Sequence, residues 1–120
     1  MKKNRAPLAE AYFRFLQLAQ TFQADTPALD ANERALLEAV ALRWFEESPM
    51  TVREAIALEH LGSPATLHKR ISRLRQKDML VAFNQEGDRR AKYLIPSDKT
   101  LAQFAELGSN MKKVQSVLAL

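Results

Sequence analysis

The chain has 120 residues, 18 of them basic and 14 acidic for a formal net charge of +4, with two histidines and no cysteine. That length suits one domain able to bury about two-thirds of its unfolded surface without staples, and the absence of cysteine excludes disulfides, thiolate metal sites and cysteine nucleophiles. His60 and His68 have no acidic partner at ligand spacing, no apolar run approaches a membrane span, and no cleavage-site pattern follows the basic N-terminus; the expectation is a soluble cytoplasmic protein with no metal, no cofactor and no membrane contact.

Residues 1–6 read as a basic arm. A first helix is predicted from Leu8 to Gln23, with Leu8, Tyr12, Phe15, Leu16, Ala19 and Phe22 on one wide apolar stripe. Phe13 falls off that stripe, so this helix is either ordinary core or a surface for a second copy of the chain. Pro27 biases Thr26 out of the helical region and makes ADTPALD a linker. Asp30 with Glu33 has capping-box spacing and opens a second helix running to about Glu47. Leu36, Leu37, Val40, Ala41, Trp44 and Phe45 give that helix the broadest apolar face in the chain, the expected centre of the core.

Thr51 and Glu54 form a second capping box, opening a short helix through about Glu59. His60, Leu61 and Gly62 interrupt it, and Ser63, followed by Pro64 at the first helical position, restarts helix sharply. From Ser63 to Met79 the apolar residues Leu67, Ile71 and Leu74 recur at spacings of four and three, so one stripe packs inward. Ala65, Thr66, Lys69, Ser72, Arg73 and Gln76 face outward, with His68, Arg75 and Lys77 along the borders. Two short helices joined by a tight turn containing glycine are a helix-turn-helix pattern, and a capped cationic helix with small polar residues in its first exposed turn suits the major groove of DNA. The alternative for this helix alone is a solvated surface whose charges only keep the chain soluble.

Beyond it the period becomes extended. Leu80–Asn84 and Arg89–Ile95 read as two strands joined by Gln85, Glu86, Gly87 and Asp88. Tyr93 and Ile95 share one face, and Arg90 and Lys92 fall on the opposite one. A cationic hairpin behind a helix-turn-helix is a wing, whose arginines can reach a flanking minor groove; the alternative is a charged edge that discourages pairing between molecules. From Ser63 to Lys92 eight Lys or Arg stand against three acids, so positive charge gathers in this third of the chain. Ser97 or Asp98 then caps a last helix to about Ala119. Its Leu101, Phe104, Leu107, Met111, Val114 and Leu118 approach a heptad seam that needs a partner surface.

The order helix, helix, helix-turn-helix, wing, helix resembles the multiple-antibiotic-resistance-regulator (MarR) family of winged-helix transcription factors. IALEHLGSPATLHKRISRLRQKDMLV (Ile56–Val81) is similar to the family's helix-turn-helix, and EGDRRAKYLIPS (Glu86–Ser97) to its wing. The turn between Gly62 and Thr66 is one residue shorter than the family's, and Asp78 stands where the family commonly has glycine. The resemblance implies a homodimer joined by the N- and C-terminal helices, residues 1–25 and 97–120, around a DNA-binding lobe at 30–96, with one recognition helix per subunit in successive major grooves. It implies phosphate and base contacts from Ser63, Thr66, Lys69 and Arg73, and an Asp88 that orients Arg90 at the wing tip. No small-molecule effector is carried over.

The fold class expected is therefore mainly α with a small β-hairpin wing. The expected function is that of a dimeric, sequence-specific regulator on double-stranded DNA, using Ser63, Thr66, His68, Lys69, Arg70, Arg73, Asp88, Arg89, Arg90 and Lys92. The competing class is a winged-helix module that docks an acidic protein with the same face and binds no DNA. Ser63 with His60 or His68 could suggest a nucleophile and base, but Ser63 is explained as a cap and no oxyanion-forming loop is present, so no enzyme is expected.

Overall fold

Asp30 starts the fold of residues 29–101 by local chemistry. In the computed structural model, which describes residues 7–25 and 29–118, its carboxylate accepts the Glu33 N–H at 2.7 Å while the Asp30 N–H donates to the Glu33 carboxylate at 3.3 Å. This capping box opens α2, Ala31–Phe45. The Glu33 backbone N–H, first among the causes, lowers the Asp30 pKa below its ordinary value. Thr51 and Glu54 repeat the arrangement at the start of α3, Val52–Ile56, and the Thr51 backbone N–H holds Glu54 low in the same way. The helix α3 stops short of the expected Glu59. The Ala57 and Leu58 N–H groups turn to carbonyls three residues back, and a single 3-10 turn, Glu59–Leu61, leads to Gly62.

Ser63 accepts the Thr66 N–H at 3.3 Å and Pro64 opens α4, Pro64–Gln76. Leu67, Ile71 and Leu74 are buried, as their spacing requires. They meet Leu36, Leu37 and Val40 of α2, Ala55 of α3, Met79 of the turn after α4, and Leu80 and Leu94 of the hairpin in one core, each large aliphatic side chain contributing about 1.5–3 kcal/mol of burial. Phe45 departs from the expected buried face of α2: it is 75% exposed, and Leu42 is exposed too. At 3.6 residues per turn Phe45 falls roughly 110° from the middle of the buried stripe, on the side toward Leu42.

The helices α2 and α4 close in the same manner. The Ser48 N–H bonds the Arg43 carbonyl and the Glu47 N–H the Trp44 carbonyl; the Met79 N–H bonds the Leu74 carbonyl and the Asp78 N–H the Arg75 carbonyl. Both are Schellman motifs, whose C′ residue must be left-handed. Glu47 at φ 63° and Asp78 at φ 58° fill positions where glycine is the unstrained choice.

The strands are β1, Leu80–Asn84, and β2, Lys92–Pro96, antiparallel with Ala82 opposite Leu94. The second strand begins at Lys92, not at the expected Arg89. The Asn84 amide donates to the Arg89 and Ala91 carbonyls at 3.2 and 2.9 Å and holds 85–91 as a loop. The face opposite Tyr93 and Ile95 is the core face, where Leu94 is buried; Lys92 stays exposed at the strand's end, and Arg90 lies in the loop. On its far side β2 bridges Thr51 through Tyr93, and the Leu94 N–H donates to the Met50 carbonyl at 2.8 Å, fixing the hairpin beside the start of α3.

Ser97 caps α5, Asp98–Leu118, accepting the Thr100 N–H at 3.1 Å. The Ser97 and Thr100 hydroxyls also donate to the Asp78 and Met79 carbonyls at 2.6 and 2.7 Å, so α5 starts on the turn that ends α4. Residues 29–101 form one compact unit; α1, Pro7–Asp25, and α5 beyond residue 101 belong to a second. In α1 the predicted stripe is not covered: Leu8 is 83% exposed, and Tyr12, Phe13, Phe15 and Leu16 are exposed with it. Leu107 and Phe104 of α5 are half-buried, and Met111 is exposed. Residues 1–6, Thr26, Pro27, Ala119 and the side chains of Ala19, Phe22, Val114 and Leu118 lie outside the described residues.

Candidate nucleic-acid interface

The cations of α4 divide into those that serve the fold and those that do not. Arg70, expected among the DNA contacts, is half-buried, and its guanidinium donates to the Leu61 carbonyl at 2.7 Å. It closes the helix-turn-helix turn from behind, beside Gly62, whose φ of 148° suits glycine and where a Cβ would sit 3.2 Å from the Arg70 Nη1. Lys77 pairs with Glu33 at 2.7 Å, joining the end of α4 to the start of α2 around a carboxylate only 3% exposed. A buried carboxylate of this kind needs its cation.

Lys69, Arg73 and Arg75 are exposed, and among the described residues their side chains have no ion-pair or hydrogen-bond partner. Lys69 and Arg73 are one helical turn apart on the outward face of α4. Thr66 precedes them on that face, half-buried, its hydroxyl accepting from Ser63 at 2.9 Å. Ser63 is therefore occupied as a cap, while still exposed. His68 is exposed on the flank of α4 with Ser72 and Arg75, and the Ser72 hydroxyl bonds back to the His68 carbonyl at 3.1 Å.

The wing stands beside that flank. A groove of about 590 Å³ runs between them, lined by His68, Ser72 and Arg75 of α4, the Thr51–Arg53 start of α3, and Arg89, Arg90 and Lys92 of the wing. Asp88 meets Arg90 through the backbone: its carboxylate accepts the Arg90 N–H at 2.9 Å, and the Asp88 N–H bonds the Gln85 carbonyl. The expected orienting contact is thus an Asx-type turn that shapes the loop, not a hold on the guanidinium. Sequence reasoning passed over two residues here. Asn84 binds both sides of the loop mouth, and Arg53 enters the groove from α3; only the tertiary arrangement reveals either.

Among the described residues no three metal-ligating side chains come together, and no helix is long and apolar enough to cross a membrane. A helix-turn-helix with its second helix outward and a hairpin beside it defines a winged helix-turn-helix. No protein-family model and no curated protein matches the sequence. Among solved structures, the chain is similar to a transcriptional regulator from Thermotoga maritima, with TM-score 0.65 and 18% identity over 93% of this chain and 75% of that one. It is similar to a MarR-like transcriptional regulator of the same organism, with TM-score 0.61 and 19% identity over 99% and 82% of the two chains. It is also similar to Staphylococcus aureus MarR in complex with salicylate and kanamycin, with TM-score 0.56 and 17% identity over 92% and 70%. At these identities the likeness is one of fold, and the chain has the mainly helical winged-helix fold of MarR-type regulators.

Proposed function

We propose that the chain is a sequence-specific DNA-binding transcriptional regulator acting as a homodimer. The observation that carries this reading is the exposed, unpartnered Lys69 and Arg73 on the outward face of a capped helix, with the cationic wing beside the same helix. Thr66, Lys69 and Arg73 would meet base edges in a major groove, with His68 and Ser63 at the margin, while Arg89, Arg90 and Lys92 meet phosphates or a flanking minor groove. The uncovered aromatic face of α1 supports a joint with a second copy, since Leu8, Tyr12 and Phe15 otherwise stay in water.

Selecting binding sites from random duplex DNA tests this, with molar mass measured by light scattering. The expected result is a dimer mass and half-sites about one helical turn apart. Lys69→Ala and Arg73→Ala should each lose about 1–3 kcal/mol of preference for the selected site over unrelated DNA. Wild-type affinity and selectivity in both variants would remove the assignment.

The other reading, a module that docks an acidic protein, is favoured by one feature. Val81 and Phe83 are exposed on the outer face of β1, Phe83 with its ring 5.8 Å from that of Tyr93. A salt-resistant complex with a protein, and no protection of DNA, would select it.

A further inference from the structure

The hairpin has one covered edge and one open edge. On the far side of β2 the Leu94 N–H donates to the Met50 carbonyl, so the backbone groups of Leu94 point away from β1. Ala82, opposite Leu94, is therefore in a non-hydrogen-bonded pair of the ladder, and its own N–H and C=O point out of the other edge. Among the described residues nothing takes them. Native edges are blunted by charge, proline, a bulge or a covering element. The edge strand, Leu80–Asn84, has no charge and no proline, and its register with β2 runs unbroken. The cations expected to discourage pairing between molecules belong to the loop and to β2, and none lies on the edge strand itself.

Alternation gives this edge two different sides. Val81 and Phe83 are 41% and 37% exposed on the outer face, beside Tyr93. On the other face a groove of about 500 Å³ runs along the strand, lined by Ser72, Arg75 and Gln76 of α4 with Leu80 and Ala82. Arg75 is exposed there, without a side-chain partner among the described residues, and no acid lines the groove.

We propose that β1 captures an extended segment of a partner protein as a third, antiparallel strand, apolar opposite Val81 and Phe83 and acidic opposite Ala82. Ala82 exchanges both backbone bonds with the acidic residue, whose side chain turns to the α4 side and meets Arg75. Backbone pairing supplies the attachment and the two faces supply the selection. Apolar cross-strand neighbours cover Val81 and Phe83, and the charge of Arg75 disfavours a basic segment. The proposal does not rest on the DNA-binding reading: the attachment is made by the main chain of β1, apart from Lys69 and Arg73, and stands whether or not the recognition helix reads bases.

The probe is a short, end-capped, fluorescently labelled peptide alternating valine and glutamate, titrated with the full chain. Replacing its glutamates by lysine, or methylating its glutamate nitrogens, should weaken binding by about tenfold. Methylating the valine nitrogens, which point away from β1, should leave the affinity as it was. In the chain, Ala82→Pro removes the outward N–H while sparing the ladder to β2 and should cost about tenfold; Arg75→Gln should cost about twofold to fivefold. Melting checks that both variants fold. Hydrogen exchange in the wild type needs no variant: the Ala82 N–H should be slowed when the peptide is added. A wild type that binds no alternating peptide overturns the proposal. So do equal binding of a peptide with the same residues in blocks, indifference to methylation at glutamate, and an unchanged Ala82 exchange rate. Self-association that Ala82→Pro abolishes, without peptide binding, would assign the edge to a second copy instead. Duplex binding, measured on the same samples, is judged separately from all of these.

Discussion

Residues 29–101 and the first helix are written in the same pattern, apolar side chains at spacings of three and four, with opposite results. In the lobe Leu36, Leu37, Leu67 and Leu74 are fully buried, whereas on α1 Leu8, Tyr12 and Phe15 face water. Periodicity states which residues share a side of a helix and says nothing of what covers that side. The lobe finds its cover within its own chain because short capped helices and a hairpin fold back on one another. On α1 Tyr12, Phe13 and Phe15 lie on a face that the described residues leave open to water.

Three changes press on this contrast. The largest expected effect is in the lobe: Leu74→Ala, at a site with no exposure, should cost about 2–5 kcal/mol of folding stability by denaturant titration. A loss below about 1 kcal/mol would mean that the lobe's interior is loose enough to collapse around the gap. Next, Tyr12→Ala should weaken self-association by about 2 kcal/mol, roughly thirtyfold in Kd by sedimentation, while lobe unfolding moves by less than about 0.5 kcal/mol. A dimer that persists unchanged would place the joint elsewhere and make α1 exposed without purpose. The smallest effect is a gain: Glu47→Gly should raise stability by about 0.5–1 kcal/mol by relieving the left-handed backbone at the end of α2. Asp78→Gly should raise it less, because aspartate tolerates that region better. A loss at either position would show that the side chain contributes more than the strain removes.

What was legible in the chain was local. The Asp30–Glu33 and Thr51–Glu54 boxes and the Ser63 cap formed as read, since each involves residues three apart. The inward stripe of α4 followed from its spacing, and the order of elements followed from the punctuation between them. The departures share a different cause. Arg70 and Lys77 look like their neighbours Lys69 and Arg73 in sequence, and only the approach of Leu61 and of Glu33 from elsewhere separates them. Phe45 sits at the edge of the stripe, turned toward exposed Leu42, and β2 began late because the Asn84 side chain claims carbonyls a ladder would have used. Asp78 in the place of a glycine was visible, but its left-handed backbone became a fact only with the Schellman bonds around it.

The amide of Asn84 has a consequence for how quickly and how firmly the wing could engage. A loop bearing Arg89, Arg90 and, at its margin, Lys92 would drift through many shapes if only mutual repulsion governed it. Two carbonyls gripped by one amide, and the Arg90 N–H gripped by Asp88, confine it in the isolated molecule. The entropy of ordering is then spent during folding rather than at encounter, so an approaching ligand meets a preorganised surface and little of its binding energy is lost to arranging the wing.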